Sequence, residues 1–192
     1  IGVPGTIDND LAYTDYTIGF DTALNTACEC LNKIRETSDS HERASMLTVM
    51  GRDCGDIALH TALTCGAEIC MIPEVKWDIE EVAERVKWGV MRGKRSMILV
   101  FAEGALQSLT TDLEKLCSER EDLKDIVVRG NVVSSAQIAL IIEKLSGHDT
   151  RSTVLGYIQR GGSPSARDRL LATQFGARAV DLLAEDKSGV AV

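Results

Sequence analysis

The sequence predicts an α/β protein built on a mainly parallel sheet with helices on both faces. Two patterns carry that reading. Apolar runs such as "MLTVM" (46–50) and "SMILVFAEGA" (96–105) are nearly continuous rather than alternating, as expected of strands covered on both faces. Between such runs lie segments whose apolar residues recur at helical spacing, so strands and helices alternate along the chain. With 192 residues and 44% hydrophobic content, there is enough material for one substantial domain or two small ones.

Taken in order, the elements are these. From residue 17 to about 36, Ile18, Leu24, Ala27, Leu31 and Ile34 mark one face of a helix, which the polar stretch "ETSDSHER" (36–43) is expected to end. A buried strand follows at 46–50, a helix at 55–67 and a strand at 68–74. The segment 78–94 is amphipathic: Ile79, Val82, Val86 and Val90 face one way and charges the other. After the strand at 96–105 come helical pieces near 109–123 and 134–146, then a strand at 152–157. A long helix closes the series at 163–186, with Ser163 as its cap and Pro164 as its first residue. Trp77 and Trp88 are expected to pack against the helix of 78–94, and His41, in a charged run, to be solvated.

Charge narrows the function. Lys and Arg number 21 against 29 Asp and Glu, a formal net charge of −8, which argues against a nucleic-acid or membrane-surface binder. Six cysteines without a C-x-x-C pair, in a chain too large to need staples, predict reduced thiols in a cytoplasmic protein. Cys54, beside Arg52, is the one to test for reactivity. The three histidines show no zinc-ligand spacing, and no apolar run approaches the ~20 residues that span a bilayer.

In parallel sheets, ligands gather at the carboxyl ends of strands. Those ends here run into Met50-Gly51-Arg52, Glu103-Gly104 and Tyr157-Ile158-Gln159-Arg160-Gly161-Gly162. Glycine lets the backbone approach a ligand, and Arg meets phosphate bidentately, each charged hydrogen bond contributing roughly 1.5–3 kcal/mol. On an acidic protein this points to a phosphorylated, hydroxyl-rich small molecule. A single Arg would more simply pair with a neighbouring Asp; three strand ends together favour the ligand. At the start of the chain, "GTIDND" sets Thr6, Asp8 and Asp10 together. A carboxylate there could take the proton of a hydroxyl during phosphoryl transfer. An Asx-turn cluster explains the same residues equally well.

The runs "PGTIDND", "YTDYTIGFDTALNT", "SHERAS", "VMGR", "GDIAL", "GAE", "PEV", "AEG" and "LGYIQRGGSPSARDR" stand in the order seen in 6-phosphofructokinases. The chain closely resembles that family over almost its whole length, the segment after Glu103 excepted. The resemblance implies transfer of the γ-phosphoryl of ATP, with Mg²⁺, to the 1-hydroxyl of fructose 6-phosphate. It implies that Asp8 is the catalytic base within the Thr6-Ile7-Asp8 sugar-binding run, with Asp10 near the metal. Met50, Gly51 and Arg52 match the next substrate loop, Arg52 stabilising the transferring phosphoryl group. Glu103 matches a sugar-hydroxyl contact and Arg160 a 6-phosphate contact. Arg43 and Arg151 match arginines that reach the 6-phosphate of a neighbouring subunit, so a homo-oligomer, a tetramer, is implied. Arg35, Gly66, Glu68, Arg92 and Lys94 match part of an allosteric site for ADP or phosphoenolpyruvate.

The same resemblance implies the fructose 6-phosphate-binding half of a two-lobed enzyme. Residues 1–19 would be a remnant of the nucleotide-binding lobe carrying the catalytic Asp, 20–158 the sugar-phosphate lobe, and 159–192 a return into the nucleotide lobe. The family's amino-terminal ATP loops and a short carboxyl-terminal stretch have no counterpart in these 192 residues, so the resemblance implies a fragment. Two departures stand out. Tyr157 occupies a position where many bacterial members carry histidine; a phenol donates a hydrogen bond but carries no charge near neutrality. The segment 106–150 is longer than in short bacterial forms, its portion 115–135 reading as an inserted loop or helix. Gly5 precedes the Thr-Ile-Asp run where pyrophosphate-dependent relatives usually place lysine, which favours ATP. The alternatives are a pyrophosphate-dependent enzyme and a non-catalytic sugar-phosphate-binding regulatory module.

Overall fold

A computed structural model describes residues 1–107, 110–126 and 133–192. Its main sheet has four strands in the order β4-β5-β3-β6, all parallel: β3 (Ala44–Val49), β4 (Ile69–Met71), β5 (Met97–Ala102) and β6 (Thr150–Val154). A separate parallel pair joins β1 (Gly5–Thr6) to β2 (Ile18–Gly19). Every residue of β3 and β5 is buried. Alternation then assigns each side chain to one of two cores. Met46, Met97, Leu99 and Phe101 pack with α3 (Ile79–Met91), α5 (Thr110–Glu119) and α6 (Ser135–Ser146). Leu47, Val49, Ile98 and Val100 pack instead with α1 (Phe20–His41) and α2 (Asp56–Cys65). Helices on both faces explain why these strands read as continuous apolar runs.

Several boundaries differ from expectation. The strand expected at 68–74 is confined to Ile69–Met71 and that at 46–50 spans Ala44–Val49. Four further departures have a local reason. The polar stretch after Glu36 does not end α1, which continues to His41. Ser38 is buried there, its hydroxyl donating to the Ile34 carbonyl and pairing with Ser45 on β3, while the neighbouring polar residues face solvent. Glu42, at φ 52°, then caps the helix in the left-handed region. The last helix, α7 (Ala166–Ala184), begins after Ser165, not at Ser163-Pro164. The Ser165 side chain accepts the N–H of Asp168 at 3.2 Å. β6 starts earlier than expected and stops at Val154, because Gly156, at φ 52°, opens a 3₁₀ turn over Gly156–Arg160. Finally, Glu103 opens a short helix, α4 (Glu103–Gln107), directly at the end of β5.

The segment after Glu103 adds to the core. Leu113 and Cys117 of α5, Leu123 of a 3₁₀ turn, Ile126 and Val133 are all buried against α3 and α6. The part of the expected insertion at 127–132 lies outside the described residues. Trp77 meets Phe101 edge-on at 5.2 Å and touches both cores, whereas Trp88 sits on the outer side of α3 beneath Arg92. The two ends of the chain meet: Gly2 and Ala191 form a parallel bridge, with the Gly2 N–H donating to the Val190 carbonyl at 2.8 Å. Among the described residues, no helix is long and apolar enough to cross a membrane.

Candidate functional site

Because the strands are parallel and in register, Val49 pairs with Ala102 and Thr48 with Val154, so three strand ends lie at one edge. Loop 50–54 leaves β3 there, α4 leaves β5, and the Gly156–Arg160 turn leaves β6. Residues 5–10 come over the same edge. A cavity of about 560 Å³ forms between them, lined by Thr6, Ile7, Asp8, Asp10, Arg52 and Arg160 together with small and apolar residues. A cavity of similar size, about 510 Å³, lies between α3 and α5, but its mixed lysines and glutamates bring no acid and arginine together over glycine-rich turns. Chemistry, not volume, singles out the first.

Asp8 is the buried acid of this cavity, 7% exposed, and its Oδ1 has no hydrogen-bond partner. Its backbone N–H donates to the Thr6 hydroxyl at 3.2 Å. Burial is the largest influence on its carboxyl and raises its pKa; Asp10 pushes the same way, Arg52 and Arg160 pull it down, and Glu103 adds a small upward push. Two arginines opposing desolvation keep a proton acceptor available inside a partly dry site. Asn9, at φ 57°, shapes the loop around it. Its side-chain amide donates to Asp56 at 2.9 Å and its Oδ1 accepts the Thr17 N–H at 3.1 Å. Thr17 in turn donates its hydroxyl proton to the Thr6 carbonyl at 2.6 Å.

The loop bearing Arg52 is tightly made. Gly51 has φ 143°, and a Cβ there would stand 2.5 Å from the Cys54 carbonyl oxygen; one on Gly104 would stand 2.1 Å from the Arg52 carbonyl oxygen. Both contacts require glycine. Glu103 faces this loop: its Oε1 accepts the N–H of Gly51 at 3.3 Å and of Arg52 at 2.9 Å. Gln159, one residue before Arg160 and 1% exposed, accepts the Met50 N–H at 2.9 Å. Cys54 is no activated thiol: burial, then the charges of Asp56, Glu74 and Asp10, push it up against a lowering backbone hydrogen bond. All six cysteines are free, and Tyr157 is 86% exposed on the outer side of its turn.

The structure thus brings Thr6, Ile7, Asp8, Asp10, Arg52 and Arg160 to one cavity, with Glu103 behind the Arg52 loop. It does not bring Arg43 or Arg151 there. Arg43 precedes β3 and Arg151 pairs in register with Ser45, so both stand at the far end of the sheet, roughly 15–20 Å along the strands at ~3.3 Å per residue. Arg151 is exposed and pairs with Asp149 at 2.9 Å and Glu143 at 3.7 Å.

The second expected cluster assembles in two parts. Arg35 donates to the carbonyls of Cys65 at 2.6 Å and Gly66 at 3.2 Å, closing the end of α2, where Gly66 has φ 65°. Glu68 pairs with Lys94 at 2.8 Å, accepts the Ile98 N–H at 2.7 Å, and with Lys94 lines a cavity of about 420 Å³. Arg92 lies apart from these contacts, 3.9 Å over the Trp88 ring. Asn9, Gly104, Gln159 and Asp168 lie inside runs singled out from sequence, but none was given a role of its own there; membership of those runs was the available signal.

Comparison with known proteins places these features in context. The family model for phosphofructokinase matches residues 1–183. The ATP-dependent 6-phosphofructokinase of Clostridioides difficile is 51% identical over 188 residues, covering 98% of this chain and 50% of that protein. That of Clostridium tetani is 49% identical over 188 residues with the same coverages. Among solved structures, phosphofructokinase from Saccharomyces cerevisiae superposes with a TM-score of 0.79 at 35% identity, over 98% of this chain and 23% of that one. The chain spans about half the length of the curated relatives it matches.

Proposed function

The chain belongs to the phosphofructokinase family, and on that premise we propose that it supplies the sugar-phosphate side of an ATP-dependent 6-phosphofructokinase. The observation that carries this is the convergence of Asp8, Arg52 and Arg160 on one cavity at the carboxyl edge of the sheet. In this reading Asp8 takes the proton of the 1-hydroxyl of fructose 6-phosphate. The alkoxide oxygen bonds to the γ-phosphorus of ATP, the bond to the bridging oxygen breaks, and ADP leaves. Arg52 balances charge on the transferring phosphoryl group, and Arg160 holds the 6-phosphate. Thr6, Ile7, Met50 and Gly51 shape the sugar pocket, Glu103 meets sugar hydroxyls with the carboxylate oxygen not committed to loop 50–54, and Tyr157 lies at the rim.

Mg²⁺ would enter with ATP and supply charge neutralisation at the phosphates. Asp10, exposed on the cavity wall, is the carboxylate placed to approach it; among the described residues no group of three acids, cysteines or histidines could hold an ion alone. We assign residues 1–19 and 159–192 to a nucleotide-facing lobe and 20–158 to the sugar-phosphate lobe, supported by the bridge between Gly2 and Ala191. Arg43 and Arg151, far from this chain's own cavity, serve a neighbour in a tetramer. Arg35, Gly66, Glu68, Arg92 and Lys94 form part of an effector site for ADP or phosphoenolpyruvate. The setting is the cytoplasm, which the free cysteines suit.

The test is calorimetric titration of the chain with fructose 6-phosphate, beside Arg160→Ala and an Asp8→Asn/Arg52→Ala double variant. Saturable binding that Arg160→Ala abolishes supports the reading; equal binding by Arg160→Ala sinks it. Turnover of the intact protein with ATP and with pyrophosphate then separates the two donors, and turnover with neither would identify a binding module.

A further inference from the structure

Three consecutive backbone N–H groups in the loop bearing Arg52 are taken by two side-chain oxygens, one from each of two other strand ends. Gly51 and Arg52 donate to Glu103, at the end of β5. Met50 donates to Gln159, in the turn after β6, at 2.9 Å. Consecutive N–H groups aimed at external acceptors do not hold their own shape, since no ladder or helix closes them. The loop closes one turn of its own, the Cys54 N–H donating to the Gly51 carbonyl at 2.9 Å. Its Met50–Arg52 N–H groups, however, are held from outside, and Gln159 is the sole link among these three bonds to the turn that carries Arg160.

We infer that Gln159 is a positioning residue: its amide oxygen fixes the Met50–Arg52 loop against the Gly156–Arg160 turn and so holds the spacing of Arg52 and Arg160. The geometry leaves little freedom. The Met50 N–H can only donate, so the amide oxygen must face it and the NH₂ must point the other way. The side chain is 1% exposed, and its Nε2 is buried without an acceptor. A leucine of similar size would satisfy packing without stranding that donor. A glutamine at this position is explained by what its oxygen does for Met50. A rigid spacing matters because two cations addressing opposite ends of one ligand lose effect when either shifts, and a misplacement of ~1 Å can cost about a hundredfold in rate.

This deepens the reading above and rests on it for the ligand. The experiment has a ligand-free arm and a ligand arm. In the first, amide exchange at Met50, Gly51 and Arg52 is followed by nuclear magnetic resonance in wild type, Gln159→Leu and Gln159→Glu. Gln159→Leu is expected to speed exchange at Met50 about tenfold, with Gly51 and Arg52 less affected. Gln159→Glu, which keeps an oxygen facing Met50, restores the protection. Unchanged exchange at Met50 in Gln159→Leu overturns the proposal. If that variant does not fold, Gln159→Met, of matched length, replaces it; a Met50 amide unprotected in wild type also overturns it. In the second arm, Gln159→Leu is expected to weaken fructose 6-phosphate at least about tenfold. Wild-type affinity combined with faster Met50 exchange refutes the link to the arginines. Wild type that binds no fructose 6-phosphate counts against the sugar-phosphate reading, while Met50 exchange still decides whether Gln159 holds the loop.

Discussion

Asp168 is where the structure makes its largest stability claim. It lies on α7, is 2% exposed, and serves a different helix. α1 begins after Gly19, at φ 103°, with no side chain of its own capping it. Asp168 does that work from across the fold: it accepts the N–H of Gly19 and of Thr22, both at 2.9 Å, and the Thr22 hydroxyl proton. Thr22 returns the link by accepting the Ser165 N–H at 3.0 Å. Hydrogen bonds to a charged acceptor contribute about 1.5–3 kcal/mol each, and losing one partner of a buried charged set costs about 3–5 kcal/mol because orphaned donors remain. Asp168→Ala is expected near the middle of that range, about 4 kcal/mol. At an m-value of ~2 kcal/mol/M this lowers the urea midpoint by about 2 M. Asp168→Asn turns an NH₂ toward existing donors and is expected to cost about 2–3 kcal/mol. A double-mutant cycle with Thr22→Val should return a coupling of at least ~1 kcal/mol. If both Asp168 variants unfold within about 0.5 kcal/mol of wild type, the trans-cap argument is wrong.

Other expectations follow from the site. Asp8→Asn should lower phosphoryl transfer by the 10²–10⁴-fold attributed to general bases, about that order, while fructose 6-phosphate still binds by calorimetry. Because burial raises the Asp8 carboxyl, the acid limb of turnover should lie above that of an ordinary aspartate, and Arg52→Ala, by removing a lowering charge, should move it higher still in a pH–rate profile. The same raised value makes ionised Asp8 a cost to the fold: the cost is absent below the ordinary aspartate value of about 3.9 and complete above the raised one. Asp8→Asn should therefore melt higher than wild type near neutrality and no higher in acid. Gly104→Ala drives a Cβ to 2.1 Å from the Arg52 carbonyl oxygen and should cost about 2–4 kcal/mol in urea unfolding, with sugar-phosphate binding lost. Lys94→Ala breaks a half-exposed pair with Glu68 and should change stability by less than about 1 kcal/mol.

Much of the fold was legible because burial on two faces leaves a plain trace. β3 and β5 read as strands since every one of their side chains enters a core. Helix ends were less legible, because what stops a helix is one hydrogen bond. Ser163-Pro164 is a good start by composition, yet the cap is Ser165, chosen by its bond to the Asp168 N–H. The run after Glu36 is polar on average, and only the buried Ser38, bonded across to Ser45, tells that the helix continues. At the site, charged residues on strand ends were visible and their supports were not. Gln159 and Asp168 act on backbone N–H groups 109 and 146 to 149 positions away in the chain, and no local pattern encodes such a partner.

Parallelism itself explains why Arg43 and Arg151 stand apart from the cavity that holds Arg52 and Arg160. With every strand of the main sheet running the same way, whatever follows a strand collects at one edge and whatever precedes it at the other. Arg52 and Arg160 follow β3 and β6; Arg43 precedes β3 and Arg151 is the second residue of β6. No loop movement within the chain brings the second pair to the first, because the strands between them are buried and rigid. Arginines at that far edge can meet a sugar phosphate only if a second copy presents its cavity to them. On the function proposed above, this separation is the geometry that a site shared between two copies of the chain would require.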